Sequence, residues 1–216
     1  MIKQLVISIR MTIVMLVICC AAYPFVVWAI GQAAFKDQAN GSLIRNASGQ
    51  VIGSKLIAQS FTKAEYFQPR QSAAGNGYDP TASSGTNLGP TSDKLINGVH
   101  KPNLKNGQPD PSDFDGIKDL AVEYRTENGL AANAPVPIDA VTRSGSGLDP
   151  HISIMNAELQ TARVAKARNI STDDVSKLVE ENTDGRGLGF LGEPGVNVLM
   201  LNVALDKEYP VPAAKK

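Results

Sequence analysis

The apolar residues of this chain are distributed very unevenly. Residues 11–30 run Met-Thr-Ile-Val-Met-Leu-Val-Ile-Cys-Cys-Ala-Ala-Tyr-Pro-Phe-Val-Val-Trp-Ala-Ile, twenty positions without a charge. At about 1.5 Å per residue, a helix of that length spans the roughly 30 Å hydrocarbon core of a bilayer. Nothing later in the chain matches it. Lys3 and Arg10 precede the run, while Lys36 and Asp37 behind it cancel. Positive charge stays on the cytoplasmic side, so the N-terminus is expected inside and the bulk of the chain outside. Trp28 lies near the outer end, and Pro24 is expected to kink the helix. Gly31-Gln32-Ala33 has the small-x-small form of a cleavage site, but the apolar core exceeds the roughly 7–15 residues of a secretory signal. Ile18 before Cys19 argues against lipidation.

Beyond this run the patterns are shorter. Residues 51–61 carry β-branched residues in partial alternation and predict a strand or hairpin. Residues 72–92 are mostly Ser, Ala, Gly, Asn, Thr and Pro. A loop of that length is expected either to be disordered or to be ordered by a partner, outward from the core. A helix is predicted to start over 93–99, interrupted by Lys101-Pro102 and Gln108-Pro109-Asp110-Pro111. A further helix is predicted after Ser112, capped by Ser112 with Asp115, with Phe114, Ile117, Ala121 and Tyr124 at helical spacing and Gly129 as its stop. Residues 136–142 predict a strand. The spacing then predicts a helix from Ser153 to about Arg168, with Met155, Leu159 and Ala162 on one face. Another helix is predicted from Ser171, with Val175, Leu178, Val179 and Asn182 as its inner stripe. Residues 196–203, apolar except for Asn197 and Asn202, predict a strand buried on both faces. The tail after Pro210 is expected to fray.

The fold class expected is α+β: a single N-terminal transmembrane helix followed by one mixed α/β extracytoplasmic domain. The divisions are a cytoplasmic N-terminus at 1–10, the transmembrane helix at 11–31 and a periplasmic α/β domain at 32–216. Composition narrows this further. Lys3 and Arg10 are the only charges in the first 30 residues, which leaves 19 basic against 21 acidic residues beyond. That balance argues against nucleic acid as a partner. The only cysteines, Cys19 and Cys20, lie in the apolar run, so the domain has no disulfide and holds itself by packing.

Candidate chemistry is sparse. The hexad Gly187-Leu188-Gly189-Phe190-Leu191-Gly192 matches a dinucleotide fingerprint by letter, but that motif needs a strand before it and a helix after it. It reads as a glycine-rich turn. The two histidines, His100 and His151, stand far apart, so no metal site is expected. Asp149 and His151 read as capping the helix that follows rather than as ligands. Ser144, Asp149 and His151 crowd into eight positions without a nucleophile elbow, which argues against a hydrolytic triad. The turn Ser144-Gly145-Ser146-Gly147 before a helix offers backbone amides to an anion.

Three segments carry a resemblance. They are Gly53-Ser54-Lys55-Leu56-Ile57-Ala58-Gln59-Ser60-Phe61, then Val141-Thr142-Arg143-Ser144-Gly145-Ser146-Gly147-Leu148-Asp149-Pro150-His151-Ile152-Ser153, and finally Arg163-Val164-Ala165-Lys166-Ala167-Arg168 with Leu188-Gly189-Phe190-Leu191-Gly192-Glu193-Pro194. With residues 196–206 and the single N-terminal span, the chain resembles the KdpC family, the C subunit of the Kdp potassium-transporting P-type ATPase. The resemblance implies a bacterial inner-membrane complex. Its partners would be a potassium-channel-like A subunit, a P-type ATPase B subunit and a small F subunit, together with the lipid bilayer. It implies a non-catalytic accessory subunit with no cofactor of its own, ATP being reached only through the complex. A family-level alternative is a catalytic chaperone that raises the ATP affinity of the pump subunit. Ser144, Gly145, Ser146, Gly147 and Gln160 are then the candidate nucleotide-binding residues.

Overall fold

The computed structural model describes residues 1–46, 48–104, 110 and 112–211. The chain divides into two compact units, Met1–Ser54 and Lys55–Lys216. Most of the expected proline break at 108–111, and the tail from 212, lie outside the described residues.

The first unit opens with α1 (Ile2–Val17), a π-helical turn (Ile18–Ala22) and α2 (Tyr23–Ala34), one continuous rod. The rod extends beyond the uncharged run at both ends. Its 33 residues measure about 50 Å, enough to cross a bilayer with turns to spare. None of its residues is buried by the protein. The π turn has a local cause. Pro24 has no amide hydrogen, and its ring crowds the carbonyl four residues back. The ladder there widens by one residue, and the Tyr23 amide donates to the Ile18 carbonyl. A short α3 (Lys36–Ala39) follows, then the antiparallel hairpin of β1 (Leu43–Arg45) and β2 (Val51–Ser54). The expected 51–61 strand therefore ends at Ser54.

The second unit is α+β. It contains α4 (Asp93–Asn97), α5 (Ile117–Glu127), α6 (Ile138–Val141), β3 (His151–Ile152), α7 (Ile154–Arg168), α8 (Thr172–Glu181), β4 (Thr183–Asp184), β5 (Gly195–Asn197) and α9 (Val198–Glu208). The three strands form one antiparallel sheet in the order β3-β5-β4, with Ile152 and Thr183 both opposite Val196. Its core joins Phe67, Ile152, Ala157, Val164, Val175, Leu178, Val179, Val196, Leu201 and Leu205.

Several expectations are corrected here. Residues 196–203 are a strand only through Asn197, whose side chain then accepts the Met200 amide at 3.1 Å and starts α9. A helix buried on most sides shows the same apolar run as a buried strand, so periodicity could not separate them. Residues 138–141 form a helical turn instead of a strand. Pro137 supplies the entry, and Asp139 is held by Ser153, whose amide and hydroxyl donate to it at 2.8 and 2.9 Å. Ser112 does not cap α5, because its hydroxyl turns back to Asp110 at 2.6 Å. The helix starts four residues later than expected from that cap, where the Gly116 amide donates to Asp119 at 2.8 Å. Phe114 is held outside the helix by paired bonds with Val99. On α7, Met155, Leu159 and Ala162 turn away from the core. The buried face is Asn156, Ala157, Gln160, Thr161, Val164, Ala165 and Arg168.

The 72–85 part of the 72–92 loop is ordered by the chain's own second unit rather than by a partner, while residues 87 and 89–91 are exposed. Ala74 is fully buried. The loop is fastened to the second unit itself, through the contacts described next.

Candidate functional site

The Ser144–Gly147 turn is enclosed by the 72–85 part of that loop. The Ser144 amide donates to the Gln71 carbonyl at 3.1 Å, and the Ser84 amide donates to the Ser146 carbonyl at 2.9 Å. The Ser83 hydroxyl reaches the same carbonyl at 3.0 Å, and the Ser72 hydroxyl reaches the Gly147 carbonyl at 2.6 Å. Gly147 adopts φ +71°, and a Cβ there would lie 2.6 Å from the Ser84 carbonyl oxygen and 2.8 Å from Ala74. Ser144 is buried, its hydroxyl 3.3 Å from that of Ser146. The Gly/Ser composition of both strands of chain thus lets two backbones lie against each other. Gly145 is the open corner, with no atom within 4 Å of where its side chain would be.

Gln160 occupies a different place, on the buried face of α7. Its Oε1 accepts from the Gln68 amide at 2.8 Å and from the Arg163 guanidinium at 2.7 Å. Its Nε2 donates to the Gln68 carbonyl at 3.1 Å and to Asn156 Oδ1 at 2.9 Å. Tyr124 donates to the same Asn156 oxygen at 2.8 Å, and Asn156 donates onward to Asp139 at 3.0 Å. Every polar atom of the Gln160 side chain therefore has a partner within the fold. Burial drives the Tyr124 phenol far above its ordinary value, which keeps it a donor.

Gln160 lines a cavity of about 200 Å³ with Gln68, Gln71, Tyr78, Tyr124 and Asn156. Ser144 reaches it only through Gln71, and none of the residues of the 144–147 turn lines it. Tyr78 donates to the Arg70 carbonyl at 2.8 Å, and burial pushes its phenol up to about 12. Glu123 and Glu127, one turn apart on α5, stand at the rim. Burial raises the Glu123 carboxyl, and the charges of Glu127 and Asp115 raise it further. Sequence reasoning missed these two acids, because an i, i+4 pair on a helix looks like any solvated face.

The other candidates take ordinary structural places. Asp149 accepts the His151 amide at 3.0 Å and pairs with Arg70 at 3.2 Å. The cap of α7 is Ser153, which accepts from the Asn156 amide at 3.1 Å. His151 Nε2 is 2.9 Å from Asp184 on β4, a partner with no signal in the sequence. Ser144 pairs with Ser146 rather than with His151, so the three residues of the paper triad do not assemble. His100 pairs with Asp119 at 3.3 Å, and with Asp115 these groups bring three potential ligand atoms within 4.8 Å of one another. Asp119 is already engaged as the cap of α5. The 187–192 segment is preceded by β4 and followed by β5, and the paired bonds between Gly187 and Leu191 close it as a turn. A strand does precede the segment, where a helix was expected; the dinucleotide reading fails because a strand rather than a helix follows it.

Comparison with known proteins bears on the whole chain. The family described as "K+-transporting ATPase, c chain" (KdpC) matches residues 5–207. The potassium-transporting ATPase KdpC subunit of Mycobacterium tuberculosis is 52% identical over 205 residues, 95% of this chain and 98% of the relative. That of Koribacter versatilis is 44% identical over 213 residues, 99% of each chain. That of Caulobacter vibrioides is 49% identical over 195 residues, 90% of this chain and 88% of the relative.

Proposed function

The chain belongs to the KdpC family of potassium-transporting ATPase subunits, and from that premise we propose that it is a non-catalytic accessory subunit of ATP-driven potassium import. In this reading it crosses the bacterial inner membrane once, with its N-terminus in the cytoplasm and residues 32–216 in the periplasm. The domain docks on the extracytoplasmic face of the channel-like A subunit and stabilises its assembly with the P-type ATPase B subunit and the small F subunit. It carries no cofactor and performs no chemistry alone.

One observation carries the reading. Groups that would bind a ligand are engaged in holding the fold together: the Gln160 amide on Gln68 and Asn156, the Ser144 backbone amide on the Gln71 carbonyl, and the Gly147 backbone amide on the Ser144 carbonyl. A second observation supports it. The cavity beside Gln160, about 200 Å³, is below the roughly 300 Å³ at which small-molecule sites begin. Its rim holds two carboxylates, which repel a polyphosphate.

The alternative, a catalytic chaperone that raises the pump's ATP affinity, rests on the fact that Gln160 does face a cavity. In that reading Gln160 and Ser144, Gly145, Ser146 and Gly147 contribute to nucleotide binding. The two are separated by labelling a cysteine introduced at Gly145 in intact spheroplasts. Modification by an impermeant maleimide is expected for the accessory reading. Protection in spheroplasts with modification in inverted vesicles overturns the periplasmic placement and restores direct nucleotide contact.

A further inference from the structure

The turn between β4 and β5 presents large apolar side chains to solvent. Leu188 is 86% exposed, Phe190 69% and Leu191 53%. A few scattered exposed apolar residues are ordinary on a protein surface, but three within four positions at one projecting tip are a patch. The projection is built in. Gly187 and Leu191 exchange two backbone hydrogen bonds of 2.8 Å each, and the Gly189 amide donates to the Arg186 carbonyl at 3.0 Å. Gly189 and Gly192 take φ +83° and +78°. Leu188 itself stands at φ +52°, a region that leucine rarely adopts. At the base, Arg186 and Glu193 pair at 2.7 Å. Both strands that carry the turn belong to the sheet packed on the core. The tip is therefore held ready, with little ordering left to do on contact.

We infer that the 187–192 turn is an insertion tip that seats Leu188, Phe190 and Leu191 in an apolar recess on another protein subunit of the potassium-transporting ATPase. This deepens the accessory-subunit reading and rests on it. Charge selects a protein over the bilayer as the occupant. An anionic membrane surface is recognised by unpaired Lys or Arg beside the apolar residues. The tip has no charge between 187 and 192, and Arg186 is neutralised by Glu193. Three side chains cover far less than the roughly 1,200 Å² of a stable interface, so the tip acts as an anchor within a larger contact.

The test uses the tagged full chain co-expressed with the other ATPase subunits. The variant is Leu188→Asn with Phe190→Ser, since asparagine accepts the left-handed backbone that leucine strains to adopt. The control is Val122→Ser, which removes an apolar side chain 63% exposed on α5. Wild type and Val122→Ser are expected to retain the partner subunits, and the tip variant to lose them at least tenfold at an unchanged melting temperature. Full retention by the tip variant overturns the inference and leaves the accessory reading standing. Failure of wild type itself to co-purify overturns both. A second measurement places Phe190→Trp in a Trp28→Phe background. Its emission is expected to shift blue in the complex and to be unquenched by brominated lipid when the chain is reconstituted alone. Quenching by the lipid makes the bilayer the occupant and overturns the assignment.

Discussion

Asn202 exchanges two hydrogen bonds with the backbone of Phe67, accepting its amide at 2.8 Å and donating to its carbonyl at 2.9 Å. Gln160 does the same for the next residue, Gln68. Two side-chain amides, from α9 and α7, thus take the place of a neighbouring strand for the extended chain at 67–68. Asn202 and Phe67 are both fully enclosed, so neither backbone group has water to turn to.

Replacing Asn202 by Leu keeps the branched skeleton, with somewhat more bulk, and orphans both backbone groups of Phe67. The expected cost is about 2–4 kcal/mol, from two buried polar groups left unpaired. Urea denaturation of the full chain in detergent measures it. A loss under about 1 kcal/mol would show that the two bonds are not needed.

Gly147→Ala forces a side chain into the Ala74 and Ser84 backbones at a positive φ. About 2–4 kcal/mol of stability should be lost. Gly145→Ala, in open space two residues away, should stay within about 0.5 kcal/mol. Equal effects at the two positions would contradict the interlock of the turn with the 72–85 loop.

Arg168 has a side chain only 1% exposed, and it holds the Glu65 carbonyl at 2.7 Å, the Tyr209 carbonyl at 2.9 Å and Asp206 at 2.8 Å. Arg168→Lys retains the charge but cannot make this fork. The expected loss is about 1–3 kcal/mol, from hydrogen bonds of the charged fork that the ammonium cannot replace, since Asp206 itself is half exposed. Amide exchange at the C-terminal end of α9 should accelerate more than at β3, and uniform acceleration would argue against a local tie.

The His151 imidazole is raised above its ordinary value by Asp149, 3.7 Å from Nδ1, and by Asp184, 2.9 Å from Nε2. A raised folded value means that its contribution to stability is complete below the unfolded value of about 6.5. That contribution is lost as pH rises through the folded value. Stability should therefore decline as pH rises from about 6.5 through the raised folded value, and Asp184→Asn should flatten the decline. A proton NMR titration of His151 follows the group directly. A midpoint unmoved by Asp184→Asn would remove Asp184 as a cause.

Some features were legible in the sequence because local chemistry determines them. The charge-free run at 11–30 forms a helix in any apolar surrounding. Ser153 and Ser171 each cap the helix behind them by accepting an amide three residues on. Gly129 ends α5 at φ +64°, a conformation that costs glycine nothing. The stripe of α8 was clear, because one face of that helix is apolar and the other charged.

Partners far away in the chain decided the rest. Residues 198–203 became a helix because Asn197 caps it and the core surrounds it, and an apolar run is compatible with either element. The inner face of α7 carries Asn156, Gln160 and Arg168, since each finds a partner more than thirty positions away. Polar residues read from sequence are placed outward, because burial is paid back only by bonds the sequence does not display. The 72–92 loop looked solvated for the same reason: its hydrogen-bond partners are at 144–147. Local bonds and long uniform patterns are written in the chain, whereas which polar groups go inside depends on what tertiary structure brings to meet them.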